Sequence, residues 1–177
     1  LDDFHLDNAQ IGTLDALKER IPDLKVTLFT IPSPPGRSFD EHVSWLRGVK
    51  VLRPWVEFAV HGWDHRYLEC RDWGKLKTID ILNQAWESGV FIRGFKAPYW
   101  ETSKGLYEGL IYRDWWIADH VKNKDKRPAG LRVYELDRPE RVHGHIQNVC
   151  GNGLEEMFEY YASLKGPFQF VSEVVGA

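Results

Sequence analysis

The chain has 177 residues, a formal charge of −3 and no long run of lysine or arginine, so it lacks the basic stripe that binding to a nucleic acid backbone requires. Its 43% hydrophobic and 28% charged residues fit one globular domain over 1–177, expected to lack part of its first strand, and no stretch is long and apolar enough to span a bilayer. Cys70 and Cys150 form no C-x-x-C pair, which suits a reduced compartment; the cytoplasm is the expectation, one disulfide stays open, and nothing in the composition sets the oligomeric state.

Ile11, Leu14, Leu17 and Ile21 recur at helical spacing up to Pro22. Lys25 to Ile31 is β-branched and apolar and reads as a buried strand, ended by the Pro32 to Gly36 loop. Ser38 and Glu41 form a capping box ahead of a helix with Phe39, Val43 and Leu46 on one face. Val56 to Val60 is a strand ending at His61; Leu76, Ile79, Leu82 and Trp86 then mark a helix. Phe91 to Phe95 is a strand running into Lys96 to Trp100, Thr102 to Tyr112 a helix, and Trp115 to Ala118 a strand. Asp119 to Gly130 reads as a charged exposed loop. Short strands are expected at Leu131 to Leu136 and Arg141 to His145, and Asn152 with Glu155 is expected to cap a helix carrying Leu154, Phe158, Tyr161 and Leu164. Phe168 to Val175 reads as a last strand.

Strands alternating with helices predict an α/β fold with a mainly parallel sheet, a distorted or incomplete (β/α) barrel of about seven strands. Asp2-Asp3, His61, Lys96 to Trp100, Asp119 and His143/His145 all fall where a strand meets the following loop. In α/β barrels these loops gather at one face and form the active site.

His61 and His65 are four residues apart, a spacing that lets two imidazoles converge on one ion if the segment makes a tight turn. One of Asp2 and Asp3 at a neighbouring strand end would complete the set, while the other faces substrate. Asp plus two His fits Zn2+ best and also takes Co2+, Ni2+ or Fe2+. His143 and His145 flank Gly144; either can give a proton to a leaving group, and the pair can also hold a second metal. Gly144 is expected to let the backbone approach a ligand. Pro98-Tyr99-Trp100 makes a rigid turn whose exposed N–H can stabilise an oxyanion. With 8 tryptophans, the chain has rings to spare for a sugar groove, for which Trp63, Trp73, Trp115 and Trp116 are candidates.

In this order the motifs resemble those of the polysaccharide deacetylases, carbohydrate esterase family four. Leu1-Asp2-Asp3-Phe4 resembles the T-F-D-D motif, His61 to His65 the H-[ST]-x-x-H motif with Gly62 in place of Ser or Thr, Lys96 to Trp100 the R-x-P-Y-[GW] motif, and Val142 to His145 the late L-H motif. The resemblance implies a metal-dependent hydrolase that removes an acetyl or other acyl group from an N-acylated sugar or glycan. It implies a divalent metal held by Asp3, His61 and His65, with Asp2 as general base and the Tyr99 N–H as oxyanion donor. His145, or else His143, would be the acid. Lys96 stands where the family has an arginine that orients the base, keeping the charge without the bidentate fork. The family's Asp-Trp motif has only Asp114-Trp115 or Asp119-His120 as counterparts. These departures keep two alternatives open, a hydrolase of a non-sugar amide and an inactive sugar-binding relative that retains the metal.

Overall fold

The computed structural model describes residues 1–138, 141–149 and 151–176. Five parallel strands pair in sequence order: β1 (Val26–Thr30), β2 (Val56–His61), β3 (Phe91–Lys96), β4 (Trp116–Asp119) and β5 (Val133–Glu135). Helices α1 (Ile11–Arg20), α2 (Phe39–Leu52), α3 (Lys75–Glu87) and α4 (Lys104–Tyr112) alternate with the first four strands. Two helices follow the sheet, α5 (Phe158–Ser163) and α6 (Val171–Val175).

The expected seven strands resolve into five strands and two segments that make single parallel bridges. Phe4 bridges Thr30 of β1, and Asp2 bridges His145. The 141–146 segment is therefore placed beside the start of the chain by one bridge, not by a ladder. Asp3 has a φ of 61°, which breaks the extended backbone of its segment. Simple strand alternation consequently does not set the directions of Asp2 and Asp3.

The sheet is largely apolar on both faces, as parallel sheets covered by helices are, with one buried polar pair in which Thr27 Oγ1 donates to Glu57 Oε1 at 2.6 Å. On one face Leu28, Val56, Phe58, Val60, Phe91, Phe95 and Ile117 pack with the inner sides of α1 to α4. On the other, Phe29, Ala59, Trp116 and Ala118 form a second cluster joined by Ile92, Tyr134, Val171 and Val175. Gly94 faces this cluster, and a Cβ there would fall inside the Trp116 ring. His61 follows Ala59 by two residues and Lys96 follows Gly94 by two, so both functional candidates continue this second face at the strand ends.

Three further expectations are corrected. Phe168 to Val175 is not a strand: α6 forms there, with Glu173 Oε2 accepting the Phe170 N–H at 2.9 Å, and Val171 and Val175 cover the second cluster. Asn152 caps no helix, because α5 begins only at Phe158 and Asn152 turns to His145. Asp119 to Gly130 is not an exposed loop throughout: Asp119 ends β4 buried, and a 3-10 helix over Val121–Lys126 buries Asn123. Half of the expected capping box is present: Ser38 Oγ accepts from the Glu41 N–H at 3.2 Å, while Glu41 Oε1 accepts from Arg37 at 3.1 Å. On α3 the inward side is Thr78, Ile81, Leu82 and Ala85, leaving Leu76 and Trp86 exposed. No helix among the described residues is long and apolar enough to cross a membrane. Cys70 is a buried free thiol, and Cys150 lies outside the described residues.

Candidate functional site

Two clusters of polar side chains lie at the carboxyl ends of the strands, and Lys96 touches both. In the first, Asp3 Oδ1 has His61 Nε2 at 3.2 Å and His65 Nε2 at 3.0 Å. Asp3 and His61 are buried and His65 is partly so. Although both nitrogens are within ion-pair distance, Asp3 Oδ1 has no hydrogen-bond partner among the described residues. The tautomer of His61 accounts for its part in this. Its Nδ1–H donates to the Lys96 carbonyl at 3.0 Å, so in the neutral ring Nε2 presents a lone pair to the carboxylate. Lone pairs converging in a buried space are what a cation satisfies, and the three donor atoms lie within 4.8 Å of one another. Nitrogen and oxygen donors of this kind fit a divalent ion. Burial pushes the Asp3 carboxyl up; His61 and His65 hold it below the ordinary range only by carrying positive charge, the charge that a bound cation would supply beside neutral rings. Burial lowers the His65 pKa, and the Asp3 carboxylate more than reverses that.

The second cluster contains Asp2, His143 and His145. Asp2 Oδ2 lies 2.7 Å from His143 Nε2 and 3.7 Å from His145 Nε2. By distance alone these groups form another metal-binding set. Chemically they do not need one, because the Lys96 ammonium already contacts Asp2 Oδ2 and lies 2.6 Å from His143 Nε2. The cation is supplied by the chain. The Lys96 side chain is buried, with its Nζ 4.1 Å from the Trp100 ring centre and 5.4 Å from that of Phe29. Burial raises the Asp2 pKa, while Lys96 and then His143 pull it well below the usual carboxylate range. Lys96 is itself lowered, chiefly by burial and against the pull of Asp2. Ion pairing wins at Asp2 and desolvation at Lys96; the pair is ionised, and Asp2 Oδ1 is left without a hydrogen-bond partner among the described residues.

The two histidines beside Asp2 differ. His143 Nε2 is taken up by Asp2 and Lys96, and burial lowers its pKa. His145 Nδ1 lies 2.9 Å from Asn152 Oδ1, which leaves Nε2 on the Asp2 side. The 145–153 segment folds back through a His145–Gly153 bridge, and this return brings Asn152 to the ring. Gly144 is not a point of ligand approach, because a Cβ there would fall on the Tyr161 hydroxyl.

Pro98–Trp100 forms a 3-10 turn in which Tyr99 and Trp100 both have positive φ, 57° and 62°. The N–H groups of Trp100 and Glu101 donate to Ala97 and Pro98 carbonyls, while that of Tyr99 has no acceptor among the described residues. The Tyr99 ring lies 5.3 Å from that of His65, beside the first cluster. Asp119, an unassigned candidate in the sequence, supports this turn. Asn123 Nδ2 donates to Asp119 Oδ1 at 2.8 Å and to the Trp100 carbonyl at 2.9 Å, and Arg127 pairs with Asp119 at 3.1 Å. Trp73, Trp115 and Trp116 are not groove residues. They are buried core, and Trp63 packs on Phe39 with ring centres 5.0 Å apart.

No protein-family model matches the chain, and no curated protein matches it. Among solved structures, a family 4 carbohydrate esterase from Streptomyces lividans in complex with acetate aligns at TM-score 0.51 and 17% identity, over 71% of this chain and 64% of that one. The chain has the fold of that esterase. The chitin deacetylase from the fungal pathogen Colletotrichum lindemuthianum gives a TM-score of 0.49 at 18% identity, over 72% of this chain and 57% of that one. The match thus spans less than two thirds of either neighbour.

Proposed function

We propose that the chain is a metal-dependent hydrolase that removes an acetyl or related acyl group from an N-acylated sugar, on an incomplete barrel. The observation that carries this reading is the buried, unpartnered Asp3 Oδ1 facing the Nε2 atoms of His61 and His65. Asp3, His61 and His65 would hold a divalent ion, with zinc the best chemical fit. Such an ion supplies Lewis acidity at the amide carbonyl and lowers the pKa of water.

The surrounding residues supply the proton transfers. Asp2 is the base: Lys96 and His143 hold its Oδ2 and leave Oδ1 to accept a proton from the attacking water. Holding the carboxylate ionised in a buried site is the work of Lys96, which replaces a guanidinium with a point charge. The Tyr99 N–H, which has no acceptor among the described residues, donates to the developing oxyanion. His145 is the acid that protonates the departing amine, held through Nδ1 by Asn152. His143 is already engaged by Asp2 and Lys96 and serves the base instead. Tyr67 and Tyr99, exposed and with ring centres 5.3 Å apart, offer a wall for a sugar face beside His65.

The test is acetate release from N-acetylglucosamine oligomers by the zinc-loaded protein. Activity that disappears in Asp2→Asn and in His145→Ala supports the assignment; normal turnover by Asp2→Asn removes the base. Retained zinc and sugar binding without turnover on any acylated sugar or small amide would instead indicate a binding protein.

A further inference from the structure

The loop between His61 and His65 has little structure of its own, yet His65 must be held in a left-handed conformation, φ 59°, to reach Asp3. A side chain from outside the loop supplies the anchor. Glu69 Oε1 accepts the Trp63 N–H at 2.8 Å and Oε2 accepts the Asp64 N–H at 3.3 Å. Gly62 has a φ of 65°, and a Cβ on it would fall on Glu69 Oε1 and lie 2.8 Å from Pro98 Cγ. The Glu69 carboxylate therefore occupies the space that a side chain at position 62 would take. Glu69 is carried by the 3-10 helix Glu69–Asp72, which is fastened by the fully buried Cys70.

We propose that Glu69 and Gly62 act as one unit, in which Glu69 is the positioning residue that sets the loop so that His65 can share an ion with Asp3 and His61. This rests on the metal reading of the first cluster. It also gives a physical reason for Gly62 where the resemblance leads one to expect Ser or Thr: with Glu69 in place there is no room for either. Glu69 touches neither the ion nor the substrate, and its effect passes through the backbone of Trp63 and Asp64.

The experiment is zinc titration of the metal-stripped protein, by calorimetry at one pH, together with amide hydrogen exchange at Trp63 and Asp64 without metal. Glu69→Ala is expected to weaken zinc binding by about 10- to 100-fold and to speed exchange at both amides by at least about 10-fold. Glu69→Gln, which keeps one acceptor oxygen, is expected to recover part of both effects and guards against misfolding of the alanine variant. Gly62→Ser is expected to weaken binding on its own, and less than additively when combined with Glu69→Ala. Unchanged zinc affinity and unchanged exchange in a folded Glu69→Ala protein would overturn the proposal, as would fully additive losses in the double variant. A wild-type chain that binds no divalent metal would instead remove the metal reading, and the exchange data would still decide whether Glu69 anchors the loop.

Discussion

The Lys96 carbonyl accepts a hydrogen bond from His61 Nδ1 at 3.0 Å, while the Lys96 ammonium neutralises Asp2. One residue thus sets the tautomer of a candidate metal ligand with its backbone and the charge of the candidate base with its side chain. The register of β2 and β3 makes this possible, because His61 and Lys96 are paired at adjacent strand ends. The second cluster already contains a cation, the Lys96 ammonium, whereas the first is a candidate for an external one, although both look alike by donor distance.

On the proposed reading, zinc is expected to bind with a stoichiometry of one per chain. Asp3→Asn, in which asparagine tolerates the left-handed backbone but lacks the charge, is expected to weaken binding by at least about 100-fold. Asp2→Asn is expected to leave the stoichiometry at one. Calorimetric titration of both variants checks this, and a second equivalent in the wild type that is lost with Asp2 would contradict the reading of Lys96 as the resident cation.

Lys96→Met should leave the buried Asp2 carboxylate without its counter-charge. Loss of one partner of a buried pair costs about 3–5 kcal/mol, so urea denaturation at pH 7 is expected to show a loss of that order. In the wild type the Asp2 pKa is depressed on folding, so its contribution is present above the ordinary value of 3.8 and is lost as pH falls through the folded value. In Lys96→Met the burial that raises this pKa is opposed only by the weaker pull of His143 and His61, so Asp2 takes up its proton at a higher pH than in the wild type. The gap between the two proteins therefore narrows as pH falls; a gap that widens would exclude the mechanism.

Asn152→Ala frees the His145 ring while leaving the first cluster intact. The expected result is a drop of about 10- to 100-fold in kcat/KM on an acylated sugar with zinc affinity unchanged. Asn152→Asp, which keeps an acceptor oxygen for Nδ1, should hold the ring in place and retain more activity than Asn152→Ala. Equal activity of wild type and Asn152→Ala would return the choice of acid to His143.

Much of this arrangement was legible in the residues. Lys25 to Ile31 and Val56 to Val60 are apolar, β-branched runs of strand length, and β1 and β2 form there. The four-residue spacing of His61 and His65 and the neighbouring Asp3 come together as donor groups. What escaped depended on contacts distant in sequence or on ambiguous periodicity. Val171 and Val175 are apolar in both a strand and a helical pattern, and packing on Phe29 and Trp116 selects the helix. Glu69 carries no signal in the sequence, because its place shows only when the loop is folded and its carboxylate fills the space beside Gly62. Asn152 reads as a cap because its partner His145 is brought to it by the return of the 145–153 segment.

Burial, the largest influence, and then the neighbouring Asp64 carboxyl raise the Glu69 pKa from 4.5 to about 7, which makes the candidate metal-binding loop a source of pH-dependent stability. An acid whose pKa rises on folding contributes stability that is fully present below its unfolded value and is lost as pH climbs through its folded value. Between pH 4.5 and about 7, the metal-free protein is therefore expected to lose about 3 kcal/mol through this group, at 1.36 kcal/mol per pKa unit. Glu69→Gln cannot ionise and should flatten that part of the curve, so its stability relative to wild type should increase across this window. Denaturant titrations of both proteins with a chelator present, at half-unit pH steps, provide the measurement. Parallel curves would mean that Glu69 titrates near its ordinary value and that the Trp63 and Asp64 amides, together with water, fully compensate its burial.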